Sequence, residues 1–258
     1  MSATSLEILA IAAHRDDVEQ TCGGTLLKMA QRGQRTGILD LTQGEMGTRG
    51  SAEDRAREAS DAARLLGVSW RRALDIPDGR VENTWDNRLK VASVIRETRP
   101  RVVILPYWKG RHPDHYTCSV LGYEACFLAG LSKLDPHAAL SNQVAAVSPQ
   151  HAGSPKLKPH RPFKIIYATL YYDVRPTFVV DISPQFEQKF ASILAYQSQF
   201  SDQEAGKDLF PAHAEIRARV ESMARYYGAL GGVTYGEPFL QKEVALVEDL
   251  LAIPVKSI

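Results

Sequence analysis

Residues 6–17, Leu-Glu-Ile-Leu-Ala-Ile-Ala-Ala-His-Arg-Asp-Asp, set the reading of the rest of the chain. The apolar run over 6–13 shows no lasting alternation, the pattern of a short parallel strand buried on both faces. It ends at once in His14-Arg15-Asp16-Asp17. A buried strand that runs into histidine and aspartate delivers them to its carboxyl end, where open α/β sheets bind ligands.

Outward from that strand, the signals alternate. Leu26, Leu27, Met29 and Ala30 lie at helical spacing within 23–31, with Gly33 as a stop. Residues 36–42 (TGILDLT) read as a second strand. A helix over 53–66 puts Ala56, Ala59, Ala63 and Leu66 on one stripe, closed by Gly67. Residues 70–76 are a weaker third strand and 87–97 a third helix. The run over 101–106 (RVVILP) is a clear fourth strand, with a helix expected from about 115 to 129. Strand–helix units repeated this way predict a Rossmann-like, three-layer α/β fold. Its sheet is mostly parallel, with right-handed crossovers, core order 3-2-1-4 and helices on both faces.

The second half is less regular. Residues 135–162 carry Pro136, Pro149, Pro155 and Pro159 with His137, His151 and His160, and no apolar period. They read as a long exposed loop or insertion whose histidines have no local metal-ligand spacing. Residues 164–170 and 177–182 are β-rich. Helices are expected over 184–197, with Pro184 in the first turn, and over 212–229. The close of the chain, 237–251, ends in a short amphipathic stretch. The whole reads as one α/β domain over 1–258 with a C-terminal elaboration.

The 258 residues are 44% hydrophobic and 24% charged, ordinary for a soluble globular protein and enough for a sizeable core. Lys+Arg 31 against Asp+Glu 30 leaves a net charge of +1, so bulk charge draws neither nucleic acid nor an anionic membrane. The first apolar run lacks a basic leader and is too short to span a membrane, and no later stretch comes near the roughly 18 apolar residues a spanning helix needs. Cys22, Cys118 and Cys126 are odd in number and form no C-x-x-C pair, which suits buried thiols in a reducing compartment. A soluble cytoplasmic protein is expected, with no nucleic-acid or membrane partner.

Strand four continues through 107–110 into His112-Pro113-Asp114-His115. In the order 3-2-1-4, strands one and four are neighbours, so the two His/Asp clusters meet. Either cluster alone is weak, because a histidine after a strand commonly caps or packs. Together they suit a metal site. A catalytic zinc takes three protein ligands and keeps one position open for water. His14 and Asp17 sit three apart on a turn, and His115 supplies the third ligand. Asp16 is then free to act as general base. His112 is read as an acid or transition-state stabiliser and Asp114 as its orienting carboxylate. A nucleotide-binding Rossmann module is the rival class, but Gly23-Gly24 is not a G-x-G-x-x-G loop. A two-metal phosphoesterase would need more carboxylates.

The stretch Ala13-His14-Arg15-Asp16-Asp17-Val18-Glu19, followed by Cys22-Gly23-Gly24-Thr25-Leu26, resembles the first signature of the PIG-L/LmbE-like zinc deacetylases. His112-Pro113-Asp114-His115 resembles their second. The stretches GEMGTRGSAEDRAREA, LDIPDG, FVVDIS, AYQSQF and YGEPFLQKE further resemble the bacillithiol-biosynthesis branch. Arg15 is a departure, since the wider family often has proline there.

That resemblance implies removal of the acetyl group from an N-acetylglucosaminyl conjugate, in this branch N-acetylglucosaminyl-malate. It implies one Zn2+ per subunit on His14, Asp17 and His115, with iron, cobalt or manganese as alternatives. Asp16 is the implied base, and His112 with Asp114 the implied stabiliser. Arg55 matches a substrate-binding arginine. Arg49 and Arg111 are added because malate carries two carboxylates, although 53–58 also reads as an ordinary mixed-charge helix face. Mycothiol-type, glycolipid and chitooligosaccharide substrates are the alternatives. A homo-oligomer is implied, a hexamer among its forms. His213 and the tyrosine pairs Tyr171-Tyr172 and Tyr226-Tyr227 read as structural or surface residues.

Overall fold

The first strand, β1 (Ile8–Ala12), is buried along its whole length. Ile8, Ala10 and Ala12 join one core with Val18, Cys22 and Leu26, while Leu9 and Ile11 join another with Val91, Ile95 and Leu121. Apolar side chains on both faces are what an unbroken apolar run provides. The computed structural model describes residues 5–136, 157–171, 174–201 and 213–255.

The remaining strands are β2 (Thr36–Asp40), β3 (Trp70–Ala73), β4 (Val102–Pro106), β5 (Lys164–Ala168), β6 (Phe178–Asp181) and β7 (Gly236–Leu240). Together with β1 they form one mixed sheet in the order β3-β2-β1-β4-β5-β7-β6. The five strands from β3 to β5 pair in parallel, in the expected core order. β7 is antiparallel to both β5 and β6, so it alone runs against the other strands and the edge strand β6 points the same way as β5. β7 falls at the start of the closing segment, where no strand was expected. Beyond it, Val244, Leu246, Leu250 and Leu251 are largely exposed.

Helices α1 (Asp17–Thr21) and α2 (Gly23–Gln31) pack on one face, and α4 (Trp85–Thr98) and α5 (Pro113–Ala129) on the other. Between them in sequence, α3 (Ala52–Leu65) opens with a capping box. Ser51 Oγ accepts from the Asp54 N–H at 3.1 Å and the Asp54 carboxylate accepts from the Ser51 N–H at 3.0 Å. The predicted helix at 184 splits into a 3-10 turn, Ser183–Gln185, and α6 (Phe186–Leu194). Then come α7 (Gln197–Phe200) and α8 (His213–Gly231), the latter packed on β6 and β7.

The G-G-T motif has a structural reason. Glu237 on β7 caps the start of α2, accepting from the N–H groups of Gly24 at 2.8 Å and Thr25 at 2.7 Å. Lys189 on α6 closes the pair at 2.6 Å. A Cβ at position 24 would meet the Glu237 carboxylate and Ile182 at 3.0 Å, so a side chain there would push the cap away.

The three cysteines are buried and free, as expected. Among the described residues no helix is long and apolar enough to cross a membrane. Of the expected 135–162 loop, His137 and His151 lie outside the described residues. His160 is not simply solvated: its ring nitrogen lies 2.7 Å from the Pro100 carbonyl oxygen. Tyr172 and the side chain of His213 also lie outside the described residues.

Candidate active site

β1 and β4 deliver the two clusters side by side. The sharp turn after β1 starts α1 at Asp17, and His112 caps α5 with Pro113 in its first turn. The second motif therefore wraps a helix N-terminus two residues earlier than the sequence suggested. His14 Nδ1 lies 3.2 Å from His115 Nε2 and 3.4 Å from the Asp17 carboxylate. His115 Nε2 lies 3.2 Å from the other Asp17 oxygen. These ligand atoms all fall within 4.8 Å of one another.

The back of His14 is equally defined. Its Nε2 lies 3.0 Å from Asp78 and 3.4 Å from Asp114. Carboxylates only accept, so Nε2 keeps its proton, and it is Nδ1 that would give up its own to present a lone pair toward Asp17 and His115. A carboxylate behind a ring whose other nitrogen faces the centre is how proteins hold metal-ligating histidine. Two ring nitrogens and a carboxylate converging on one point fit a divalent cation of the zinc type. A second convergence, of His14, His112 and Asp114, shares the same ring.

Protons fill the role of the cation in the electrostatics. Burial opposes a charge on His14, yet Asp17, Asp114 and Asp78 together push its pKa up to about 12. Burial likewise opposes a charge on His115, and Asp17 overcomes it to raise the pKa. Burial would raise Asp17, but the two histidines hold it well below the usual carboxylate range.

Asp16 turns away from the convergence. Its Oδ1 accepts from the Arg55 guanidinium at 3.0 Å and its Oδ2 from Gln20 at 3.3 Å. Arg55 is buried and lies beneath Gly44, where a Cβ would come within 3.0 Å of the guanidinium. Gly44 also has φ +74, so glycine is required twice over.

Asp114 needs a correction. Read as the carboxylate that orients His112, it instead accepts from the N–H groups of Gly79 at 2.8 Å and Val81 at 3.2 Å and backs His14. Its main-chain N–H donates to His112 Nδ1 at 3.2 Å, which leaves the His112 proton on Nε2. Burial, then the charges of His14 and His115, lowers the pKa of His112, so the ring is a neutral donor.

The arginines divide. Arg55 touches Asp16. Arg49 is buried and donates to the Gln199 and Ser201 carbonyl oxygens at 3.3 Å, which ties it to α7. Arg111 is exposed on the β4–α5 loop, its main-chain N–H donating to the Tyr171 hydroxyl at 3.0 Å. Arg15 donates to the Ala52 carbonyl oxygen at 2.7 Å, pointing toward α3.

Two residues with clear jobs escaped the sequence reading. Asp78 sits in LDIPDG beyond β3, its carboxylate held by the Met46 N–H at 3.0 Å. Its position after a strand end was the available signal. Arg71 on β3 grips the turn from behind, bonding Glu19 at 2.6 Å, Asp40 at 2.9 Å and the Arg15 carbonyl oxygen. Burial nonetheless pushes the Glu19 carboxyl up to about 7.

Sequence comparison agrees with this geometry. The profile of the PIG-L family, GlcNAc-PI de-N-acetylase, matches residues 9–126, which include both clusters. Diacetylchitobiose deacetylase of Thermococcus kodakarensis is 31% identical over 242 residues, covering 90% of this chain and 81% of the relative. The chain belongs to the PIG-L deacetylase family. The crystal structure of the conserved protein TT1542 from Thermus thermophilus superposes with a TM-score of 0.76 at 37% identity, covering 94% of this chain and 98% of that one. The N,N'-diacetylchitobiose deacetylase of Pyrococcus horikoshii, solved with an inhibitor, gives a TM-score of 0.72 at 27% identity, covering 90% and 82%.

Proposed function

We propose that this protein is a zinc-dependent hydrolase that removes the acetyl group from an N-acetylglucosaminyl conjugate, with N-acetylglucosaminyl-malate of bacillithiol biosynthesis as substrate. The observation that carries the chemistry is the convergence of His14, Asp17 and His115 with Asp16 held beside them. Those three side chains would hold the metal, which when bound polarises a carbonyl and lowers the pKa of water toward about 7.

The residues of the chain supply the rest. Asp16, fixed at both oxygens, accepts the proton of the attacking water. His112 directs its Nε2–H at the carbonyl oxygen as negative charge gathers there. The amide C–N bond breaks, the acyl carbon keeps the oxygen and the second proton of water as acetic acid, which ionises to acetate, and the nitrogen leaves as the amine. Asp16 returns the proton to that nitrogen. His112, whose pKa is lowered, enters the step as a neutral hydrogen-bond donor, and a neutral imidazole is too weak an acid to give up its Nε2 proton.

A chitooligosaccharide substrate is the second reading. It is favoured by the 31% identity to a diacetylchitobiose deacetylase over 90% of the chain. The arginines favour it too. Arg49 and Arg55 already bond within the fold, which leaves Arg111 as the exposed one of the three meant for malate.

A homo-oligomer belongs to the same proposal. Tyr116, Val120, Tyr123 and Phe127 lie exposed along α5 at helical spacing, and apolar surface of that kind marks contacts. Reduced, buried thiols favour the cytoplasm.

The test is acetate release by the zinc-loaded protein from N-acetylglucosaminyl-malate, diacetylchitobiose and free N-acetylglucosamine. Selective cleavage of the malate conjugate supports the first reading, and selective cleavage of chitobiose replaces it with the second. No acetate from any of them refutes the deacetylase assignment.

A further inference from the structure

A cavity of about 30 Å³ lies at the carboxyl ends of β1, β4 and β5, directly against the candidate metal centre. Asp17 and His115 form part of its wall. The remainder is mostly apolar, with Ala12 ending β1, Val18 on α1, Ala168 ending β5 and Leu170 just beyond. Ala12, Val18 and Ala168 are buried, whereas Leu170 is half-buried. The Thr21 hydroxyl in the same wall is turned back on the Asp17 carbonyl oxygen at 2.8 Å.

The size and lining restrict the guest. A cavity above roughly 10–15 Å³ admits a water-sized group, whereas pockets for whole ligands run to roughly 300–1,000 Å³. A sugar ring cannot enter, and a hydroxyl would find little to bond. A methyl group fits both limits. In an acetamide the methyl is bonded to the carbonyl carbon, so a carbonyl set against Asp17 and His115 carries its methyl to their immediate surroundings.

We propose that this cavity receives the acyl methyl group of the substrate and that Leu170 sets the upper limit on acyl length. The proposal rests on the deacetylase reading and adds to it a basis for acetyl over longer acyl groups. One methylene too many in a fitted apolar pocket changes kcat/KM by roughly 10–200-fold. Leu170 is the residue to vary, because it follows β5 outside regular structure and is half-buried.

The experiment compares kcat/KM on the N-acetyl, N-propionyl and N-butyryl forms of glucosaminyl-malate and of chitobiose. Wild type, Leu170→Ala and Leu170→Phe are each checked for folding and zinc content. The expected result is an acetyl-to-propionyl ratio of roughly 10–200 in wild type. Leu170→Ala should shrink that ratio about tenfold, and Leu170→Phe should slow acetyl cleavage with zinc still bound. Equal wild-type rates on all three acyl groups, or a ratio unchanged by Leu170→Ala, overturns the assignment of the cavity. A wild type silent on every substrate overturns the deacetylase reading and the cavity with it.

Discussion

Two of the buried charge clusters among the described residues are built on opposite plans. In the first, Glu237 takes two N–H groups of α2 and the ammonium of Lys189, so the cluster closes on itself. In the second, His14, Asp17 and His115 aim ligand atoms at one another, two ring nitrogens among them, with carboxylates behind. Burying charge costs several kcal/mol per ion unless partners offset it. The closed cluster supplies its partners from the fold and holds β7, α2 and α6 together. The open one presents its ligand atoms as a cation would need them, and the carboxylates around His14 push its pKa up to about 12. Closure marks structure; convergence of ligand atoms marks a site.

Substitutions should separate the two. Asp16→Asn belongs to the open cluster and keeps its shape, so turnover should fall roughly 10²–10⁴-fold with zinc content intact. Metal-replete Asp16→Asn protein with a near wild-type rate would remove Asp16 from the chemistry.

Glu237→Gln belongs to the closed cluster. It leaves Lys189 buried without its anion, so thermal or denaturant unfolding should report a loss of about 3–5 kcal/mol. The fraction that folds should still hydrolyse substrate. A stable variant with lost activity would erase the distinction between the clusters.

Asp78→Asn tests the intermediate layer. It weakens the carboxylate behind His14 without touching the converging atoms, and zinc affinity should drop roughly 10–100-fold. Titration with a competing chelator measures this, and an unchanged affinity would make Asp78 a loop anchor only.

Much of this was legible in the sequence, for physical reasons. The run over 6–13 and the run over 101–106 are apolar on both faces, so they could only be central parallel strands, and their neighbouring ends brought the two clusters together. β7 was not legible. Gly-Glu-Pro-Phe-Leu holds a glycine, a buried charge and a proline, none of which signals a strand, and its place between β5 and β6 depends on distant pairing. Asp114 shows a second limit. Its position in the site followed from the spacing, but its carboxylate turns to Gly79 and Val81, on a loop more than thirty residues earlier in the chain. The same holds for Arg49, whose guanidinium is bound to α7, about 150 residues later in the chain. Local pattern reports which groups reach a site and is silent on which way each one turns.

The most direct measurement is calorimetric titration of Zn2+ into metal-free protein, in buffers of different ionisation enthalpy and over a range of pH. His14 holds a proton at neutral pH because its pKa is raised, and a ligating ring cannot keep the Nδ1 site protonated. Zinc must therefore expel a proton, and affinity should rise with pH, about tenfold per unit for each proton released. The predicted result is one zinc per chain with proton release, abolished in His14→Ala. Absence of binding, or binding that His14→Ala leaves unchanged, would contradict a metal centre at the meeting of β1 and β4.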